Sequence, residues 1–268
     1  FTQAFGDALV ECAERDPSVV AITAAMPDGT GLNDFHRKYP DRFYDVGIAE
    51  QHAITFAAGL AAGGLKPFCA IYSTFLQRGF DQVLHDVCIQ NLPVRMFLDR
   101  AGLVGDDGPT HHGAFDISFL SLIPNLAVLA PRDTTELGEM TRLVAHELDG
   151  PVAIRYPRGA GDAELPESRT PLAWGCAEIL EPAPENPNLA IVALGSMVGP
   201  AWRAARRLAE EGIRATVVNA RFVKPLDVET ISRVAEQAGL VLTVEENVRT
   251  GGFGQQVRDA LAKAGTQA

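Results

Sequence analysis

The sequence predicts an α/β fold of two domains, each built on a parallel or mixed sheet that is covered by helices. Short apolar runs typical of buried strands alternate with longer segments of helical periodicity in the first part of the chain. Prolines, glycines and charges then concentrate over 157–187, and the alternation resumes afterwards. We therefore predict a first domain over 1–165, a linker with a first edge strand over 166–187, and a second domain over 188–268, which is expected to lack a final strand and helix.

Strands are predicted where a short apolar run is bounded by turn residues, and helices where apolar residues recur every three to four positions. In the first domain, strands are predicted at Val19–Thr23, Phe43–Val46, Pro67–Ile71, Val94–Leu98, Leu126–Ala130 and Val152–Tyr156, and helices over 3–14, 32–38, 51–62, 75–90, 116–121 and 133–147. In the second part, strands are predicted near 176–180 and at Ala190–Leu194, Ala215–Asn219 and Leu240–Val244, and helices over 199–211, 227–237 and 253–263. Ligands bind such sheets at the carboxyl ends of the strands, so the loops at those ends are the candidates for function.

Charge and cysteine usage limit the partners and the compartment. The 268 residues include 34 acidic side chains and 23 Lys or Arg side chains, for a net charge of −11. This balance argues against nucleic acid or an anionic membrane as a partner, because both select basic surfaces. The four cysteines show no CxxC spacing, and no signal peptide or membrane-spanning run is visible, which fits the cytoplasm. Because the chain begins in helix-like sequence, we expect it to be the interior of a longer protein.

Glu50 lies where an apolar strand meets the start of an Ala- and Gly-rich helix, in the run Asp45–His52. The segment that follows, 53–62, is apolar almost all round, so we expect the carboxylate to be buried. Burial is costly unless the carboxylate finds a partner or takes up a proton. A buried acid in this position can hold or protonate a nitrogen heterocycle. The alternative is an ordinary acid at a helix N-terminus, stabilised by the helix dipole.

A long glycine-rich loop, 99–116, follows the strand predicted at Val94–Leu98. Its Arg100 suits a phosphate or carboxylate, and His111 can donate to an oxyanion or move a proton near neutral pH. Asp107 completes this polar set. The Gly-Asp-Asp-Gly run over 105–108 could be mistaken for a metal-diphosphate motif but lacks the further oxygen ligands of such sites, so no metal site is predicted. The alternative is a solvated surface loop.

Two further strand-end segments carry candidate binding residues. Tyr72 and Phe75 can form an aromatic face for a ring, or alternatively a hydrophobic staple at a helix start, and Arg78 follows them. Arg158 follows the last strand of the first domain and can bind an anion in the same crevice, unless it is a surface charge of the linker. A buried acid, an aromatic face and cations together are typical of a site for a heterocyclic cofactor and a phosphorylated, sugar-like substrate.

These motifs resemble a known family. The run Val-Gly-Ile-Ala-Glu-Gln-His-Ala (46–53) is similar to the pyrimidine-domain motif of thiamine-diphosphate enzymes of the transketolase group. Three further segments narrow the resemblance to the 1-deoxy-D-xylulose-5-phosphate synthases: Ala-Ile-Tyr-Ser-Thr-Phe-Leu-Gln-Arg (70–78), Asp-Gly-Pro-Thr-His-His-Gly-Ala-Phe-Asp (107–116) and Arg-Tyr-Pro-Arg-Gly (155–159). The resemblance implies a pyrimidine-binding domain followed by a transketolase C-terminal-like domain.

The same resemblance implies roles for individual residues. Glu50 would hydrogen-bond N1′ of the thiamine aminopyrimidine, and Phe75 would stack on that ring with Ile48 beside it. Arg78 would complete the cofactor site. The residues implied in substrate binding are Tyr72, Arg100, Asp107, His111 and Arg158, with the two arginines on the phosphate of glyceraldehyde 3-phosphate. The implied catalytic residues are Glu50, His111 and Asp107.

The activity implied is the thiamine-diphosphate-dependent condensation of pyruvate with D-glyceraldehyde 3-phosphate to 1-deoxy-D-xylulose 5-phosphate and CO2, which serves isoprenoid and thiamine biosynthesis. The family's Mg²⁺-diphosphate motif lies in an amino-terminal domain, which we expect as a separate or cleaved piece, and a cytoplasmic homodimer is expected. A transketolase and the β subunit of a 2-oxoacid dehydrogenase E1 component remain alternatives; chain length favours the latter, and the run 111–115 disfavours it. A non-enzymatic homologue is disfavoured because the polar site residues are all retained.

Overall fold

The structure, a computed structural model, describes residues 1–162, 164–168, 170–180 and 183–266, and it contains two sheets covered by helices. The first part of the chain supplies six strands: β1 (Val19–Thr23), β2 (Phe43–Asp45), β3 (Lys66–Tyr72), β4 (Arg95–Asp99), β5 (Ala127–Leu129) and β6 (Val152–Arg155). All six pair in parallel, in the order β5-β6-β4-β3-β1-β2. The predicted α/β class is confirmed.

In the second part of the chain, the described residues form five strands: β7 (Glu178–Ile179), β8 (Leu189–Ala193), β9 (Ala215–Asn219), β10 (Phe222–Lys224) and β11 (Val241–Val244). Four of them form the second sheet, in the order β11-β8-β9-β7, with β7 antiparallel to β9. The fifth, β10, leaves that sheet and pairs antiparallel with β5 of the first sheet. β10 is not predicted from the sequence, and the proposed division at 165 and 187 stays a prediction.

Ten α-helical segments cover the sheets in the described residues: α1 (Thr2–Arg15), α2 (Asn33–Lys38), α3 (Glu50–Ala62), α4 (Ser73–Leu76), α5 (Phe80–Gln82), α6 (Asp116–Ser121), α7 (Thr134–His146), α8 (Val198–Glu210), α9 (Val228–Ala238) and α10 (Phe253–Ala264). Two of them begin at aspartates that accept a backbone N–H: Asp133 caps α7 and Asp227 caps α9. Among the described residues, no helix is long and apolar enough to cross a membrane.

The single long helix predicted over 75–90 is wrong. Between α4 and the end of this segment, the chain passes through a 3₁₀ turn at Gln77–Gly79 and a π-helical stretch at Val83–Cys88. The segment runs close to α3, since a Cβ at Gly79 would lie 3.4 Å from Ile54 Cγ1 and 3.7 Å from the Glu50 carbonyl oxygen. Irregular turns of this kind often occur at functional sites, and this one carries Arg78.

The first sheet is buried on both faces because alternate residues of each strand point to opposite sides. In β4, Met96 and Leu98 join the apolar layer beneath α3, whereas Phe97 joins the layer beneath α1 and α7. The rings of Phe97 and Phe5 stack there at 4.2 Å. These two layers hold the strand ends, and therefore the loops that follow them, in fixed positions.

A buried group of charges joins the two sheets. Arg221, between β9 and β10, has a fully buried side chain whose Nε lies 2.7 Å from Glu136 Oε1 and whose Nη2 lies 3.4 Å from Glu178 Oε2. Arg132 pairs with the same Glu178 at 3.2 Å, and its backbone N–H donates to Glu136 at 2.7 Å. Two cations therefore balance two carboxylates at the junction, so that no carboxylate of the group is buried without a counter-charge.

Candidate active site

The candidate site lies at the carboxyl edge of the first sheet, where β6, β4, β3 and β1 are neighbours. Tyr72 at the end of β3 is level with Asp99 at the end of β4, and Leu98 is level with Arg155 at the end of β6. Ala25 and Arg100 each have a φ of 62°, which turns the chain sharply after β1 and β4. The loops that carry the predicted site residues therefore start from one edge.

Glu50 is the first residue of α3, and its buried side chain is paired with Arg78. Arg78 Nη1 donates to Glu50 Oε1 at 2.7 Å, and the Arg78 guanidinium also lies 5.4 Å from the centre of the Phe75 ring. The bond from Arg78 is the one hydrogen bond that the described residues make to the Glu50 side chain, so its Oε2 is without a protein partner there. The carboxylate is thus buried, as the sequence predicted, and keeps one oxygen available to a further polar group.

The rings of Tyr72 and Phe75 form an aromatic pair beside this carboxylate. They stack at 5.6 Å with 14° between their planes, and His111 packs edge-on against Phe75 at 5.3 Å and against Tyr72 at 6.3 Å. Burial raises the pKa of the Tyr72 phenol. The ring stacking favours the aromatic face over the alternative of a simple hydrophobic staple.

Arg100 and Arg158 are tied together by Asp107. Arg158 Nη1 donates to one oxygen of Asp107, and Arg100 Nε lies 3.5 Å from the other. The Arg100 side chain is 13 % exposed and the Arg158 side chain is 45 % exposed, so one cation lies within the site and the other at its rim. Two guanidinium groups within reach of one carboxylate form a pair that can exchange this internal anion for a phosphate.

Arg100 is held in place by further contacts. Its Nη1 donates to the Gly29 carbonyl oxygen at 2.6 Å and to Asp99 at 2.9 Å, and its guanidinium lies 4.3 Å from the centre of the Tyr72 ring. Burial raises the pKa of the Asp99 carboxyl, and bonds from Thr2, from the Arg100 backbone N–H and from its guanidinium oppose that rise. The orientation of Arg100 is therefore set before any ligand binds.

A continuous series of contacts joins eight of the nine residues predicted for the site: Glu50, Arg78, Phe75, Tyr72, His111, Arg100, Asp107 and Arg158. The ninth, Ile48, is different, because it is 83 % exposed although it lies only two residues before Glu50. The roles of all nine stay predictions, but the first eight occupy one site.

Three residues that were not predicted as site residues, Gly29, Asp116 and Arg155, contact the site residues or the start of the loop that carries them. A Cβ at Gly29 would overlap the Tyr72 hydroxyl, so this glycine permits the close approach of the ring. Asp116 is fully buried, accepts from Ser73 Oγ at 3.0 Å and pairs with Arg155 Nε at 2.8 Å. Gly29 lies in the segment after β1, and Arg155 ends β6, so their positions near strand ends could have drawn attention to both. Nothing in the sequence marks Asp116 as the partner of Arg155.

The carboxylates of the candidate site are held in ion pairs. No group of three or more His, Cys, Asp or Glu side chains in the described ranges is arranged to hold a metal ion. The carboxylates at the site are instead each paired with arginine: Glu50 with Arg78, and Asp107 with Arg100 and Arg158.

The sequence matches two family models along nearly its whole length. Residues 1–162 match the pyrimidine binding domain of transketolase, and residues 178–268 match the transketolase C-terminal domain. Among curated proteins, the chain is 57 % identical over 271 residues to 1-deoxy-D-xylulose-5-phosphate synthase 1 of Geobacter sulfurreducens. This alignment covers 99 % of this chain and 41 % of that protein. The chain is 58 % identical to the 1-deoxy-D-xylulose-5-phosphate synthase of Thermomicrobium roseum, covering 99 % of this chain and 42 % of that one.

Solved structures agree with these matches. A split-gene transketolase, described as an inactive β4 tetramer, superimposes with a TM-score of 0.86 at 33 % identity, covering 97 % of this chain and 83 % of that one. Transketolase from Leishmania mexicana shares the fold, with a TM-score of 0.78 at 20 % identity over 99 % of this chain and 43 % of that one. The chain spans about two fifths of the length of the curated relatives, and its resemblance to their middle and C-terminal parts is confirmed. The chain therefore belongs to the transketolase family.

Proposed function

We propose that this chain forms the pyrimidine-binding and C-terminal parts of a thiamine-diphosphate-dependent 1-deoxy-D-xylulose-5-phosphate synthase. The reaction would join pyruvate to D-glyceraldehyde 3-phosphate with loss of CO2. One observation supports this above the others: a buried carboxylate with one free oxygen lies in the same site as an aromatic pair and two arginines that share one aspartate. The names of the curated relatives support the same reaction.

The residues present fit the pyrimidine end of thiamine diphosphate. Glu50 would share a proton with the ring nitrogen N1′ through its free oxygen, which has no competing partner in the described residues. Phe75 and Ile48 would contact the ring faces, and Ile48 has the exposure that such a contact needs. The bound cofactor would supply a nucleophilic carbon for the 2-oxo acid. Arg78 would hold the Glu50 carboxylate in place until the ring arrives, through the bond from its Nη1 to Oε1.

The residues near Asp107 fit the phosphorylated aldehyde. Arg100 and Arg158 would bind the phosphate, with Asp107 released from one or both arginines as the dianion enters. His111 would then donate a proton to, or accept one from, the aldehyde oxygen. Its Nδ1 lies 3.0 Å from Thr110 Oγ1, so Nε2 would be the nitrogen that faces the substrate. Tyr72 would line the same pocket beneath Arg100.

The active enzyme would also need a domain that holds the metal and the diphosphate, and a second copy of the protein. Mg²⁺ and the diphosphate would be held by an amino-terminal domain, in accord with relatives that are more than twice as long as the matched region. The active form would be a homodimer in the cytoplasm.

The decisive experiment is an assay of the full-length enzyme, or of this chain combined with its amino-terminal piece. Pyruvate and D-glyceraldehyde 3-phosphate should give 1-deoxy-D-xylulose 5-phosphate and stoichiometric CO2, detected by mass spectrometry and by ¹⁴CO2 release from [1-¹⁴C]pyruvate. Turnover without CO2 from a ketose phosphate donor would identify a transketolase, which the likeness to a split-gene transketolase makes the second candidate. Acylation of a lipoyl domain would identify a 2-oxoacid dehydrogenase subunit. Either result would overturn the proposal.

A further inference from the structure

The loop between β4 and α6 is closed at its base by two glycines. The N–H of Gly102 donates to the carbonyl of Gly113 at 2.9 Å, and the N–H of Gly113 donates back to Gly102 at 2.8 Å. Asp107 and His111 both lie between these glycines. The position of the loop base therefore determines where the two side chains lie relative to the aromatic pair.

One face of the loop base rests on the first sheet. A Cβ at Gly113 would lie 2.5 Å from the Arg100 carbonyl oxygen and would overlap Ser73 Oγ, so only glycine permits this approach. Ser73 in turn donates to the buried Asp116 at 3.0 Å. This face is therefore fixed by the buried pair of Asp116 and Arg155, in which Asp116 is the first residue after the loop.

The other face rests on Glu246, which follows β11 in the second sheet. A Cβ at Gly102 would lie 2.9 Å from Glu246 Cβ and 2.8 Å from its Cδ, and Gly102 has a φ of 77°, so both space and backbone conformation require glycine. Glu246 Oε1 accepts from the Leu103 N–H at 3.4 Å, and Oε2 accepts from the Ser196 hydroxyl, just after β8. The carboxylate thus links the loop backbone to the carboxyl edge of the second sheet.

The two residues after Glu246 extend this contact. The Val248 N–H donates to the Ala114 carbonyl at 2.9 Å, and Asn247 Nδ2 donates to Ser118 Oγ in α6 at 2.9 Å. Arg155 Nη2 reaches the Glu246 carbonyl oxygen at 3.4 Å. Consecutive residues of the second part of the chain therefore bind the loop, the helix after it and the end of β6.

We infer that Glu246 is a positioning residue, through which the second sheet holds the loop that carries Asp107 and His111. Its carboxylate contacts a backbone N–H and a serine hydroxyl, not the site side chains, so it acts on the reaction only by setting the loop position. The catalytic consequence rests on the proposed function, whereas the structural role does not. The C-terminal part of the chain would then take part in forming the active site.

Hydrogen-deuterium exchange with mass spectrometry tests the structural role without any substrate. In the full-length protein, Glu246→Ala should raise exchange in peptides covering 102–113 by about tenfold and leave the β3 and β4 peptides unchanged. Glu246→Gln keeps an oxygen for Leu103 and gains an amide that can donate to Ser196, so it should stay within about twofold of wild type. Glu236→Ala, an exposed glutamate of α9, is the matched control and should change nothing in the loop.

Two exchange results would overturn the inference. One is unchanged loop exchange in Glu246→Ala. The other is a rise of equal size in the core strands, which would indicate general destabilisation.

Steady-state kinetics of the same full-length variants test the catalytic consequence. Glu246→Ala should lower kcat by about 10- to 100-fold with KM for pyruvate within about threefold, because misplacing the loop affects the reacting geometry more than binding of the donor. Glu246→Gln should restore most of kcat. Unchanged kcat in Glu246→Ala, or no rescue by Glu246→Gln, would contradict the positioning role. A wild-type enzyme without synthase activity would instead refute the proposed function, and the exchange result would still decide the structural role.

Discussion

Nη1 of Arg78 lies 2.7 Å from Oε1 of Glu50, and the two side chains differ sharply in exposure, at 57 % for the arginine and 4 % for the glutamate. The buried carboxylate therefore receives its counter-charge from the solvent side. The arginine faces solvent, so it can move aside when a ligand takes its place beside the carboxylate. The pair suits a site in which Glu50 has a partner both when the site is empty and when a ring is bound.

Replacing Glu50 with alanine should strongly lower turnover while leaving the fold intact. We expect kcat to fall by about 10²- to 10⁴-fold, the usual contribution of a group that shares a proton with the reacting system. The free energy of unfolding should change by less than about 1 kcal/mol, because no buried cation is left behind when the carboxylate is removed. Kinetics and urea unfolding measure the two effects. Glu14→Ala, which removes a surface ion pair with Lys38, is the control, and wild-type turnover in Glu50→Ala would contradict the assignment.

Replacing Arg158 with alanine should weaken binding of the phosphorylated aldehyde selectively. KM for glyceraldehyde 3-phosphate should rise by about 10- to 100-fold and KM for pyruvate by less than about threefold, as expected for loss of a charge-assisted bond to phosphate. Arg203→Ala is a matched control, since Arg203 is 46 % exposed against 45 % for Arg158 and also pairs with one aspartate. Equal effects on both substrates would refute the phosphate assignment.

A methyl group at Gly29 should disturb the positions of Tyr72 and Arg100 in the site. Gly29→Ala places a Cβ on the Tyr72 hydroxyl, so the ring or the chain must shift, and the bond from Arg100 to the Gly29 carbonyl is strained. We expect a loss of about 1–3 kcal/mol in the free energy of unfolding together with a lower kcat/KM. Gly59→Ala is the control: Gly59 lies exposed in α3 with no atom within 4 Å of an added Cβ, and alanine there should add about 0.5–1 kcal/mol. Urea unfolding that ranks the two variants in the opposite order would count against this account of Gly29.

The buried charges between the sheets should make Arg221 one of the residues most sensitive to substitution. Arg221→Ala leaves Glu136 and Glu178 with Arg132 alone, and burial raises the pKa of the Glu136 carboxyl, which Arg221 opposes. We expect a loss of about 3–5 kcal/mol in the free energy of unfolding, the usual cost of removing one member of a buried ion pair. Arg206→Ala on the exposed face of α8 should cost less than about 0.5 kcal/mol. A loss in Arg221→Ala no larger than this control would contradict the prediction.

Stability should fall in acid partly through Asp16. Hydrogen bonds from Lys66, at 2.8 Å, and from Ser18 hold the pKa of this carboxyl well below its usual range. Because the folded-state pKa is depressed, the stabilisation is present above the unfolded pKa of about 4 and is lost as pH falls towards the folded value. Partial exposure limits the effect to about 1 kcal/mol.

The measurement is urea unfolding of wild type and Asp16→Asn at pH 7 and pH 3. The difference between them should shrink at the lower pH. Asp34→Asn, which removes a surface pair with Arg37, is the control, and a wild type that gains stability over Asp16→Asn in acid would reverse the sign.

Strand-end position made much of the site predictable. Tyr72, Arg100 and Arg158 were all identified because each follows an apolar run of a predicted parallel sheet, and such ends converge. The structure adds what the pattern could not give, namely that Asp107 joins the two arginines. The pairing of Glu50 with Arg78 depends on the irregular turn at Gln77–Gly79, and periodicity predicted a regular helix there.

The residues that were not predicted are important because of contacts with residues that are distant in the sequence. Gly29 matters because of the Tyr72 hydroxyl, and Gly102 because of Glu246, partners far away in the sequence. Arg221 was overlooked because a lone arginine after a strand normally reads as a surface charge, whereas here it is fully buried. β10 was not predicted because it has only two apolar residues, Phe222 and Val223, before Lys224 and Pro225.

The crossing of β10 to the first sheet has a consequence for synthesis on the ribosome. β5 emerges long before β10, and until Phe222–Lys224 arrives its outer edge offers unpaired N–H and C=O groups to any other chain. The nascent first sheet is thus exposed to aggregation until the second part of the chain has been made. A fragment that ends before β10 would leave the outer edge of β5 unpaired, and an unpaired edge strand favours aggregation.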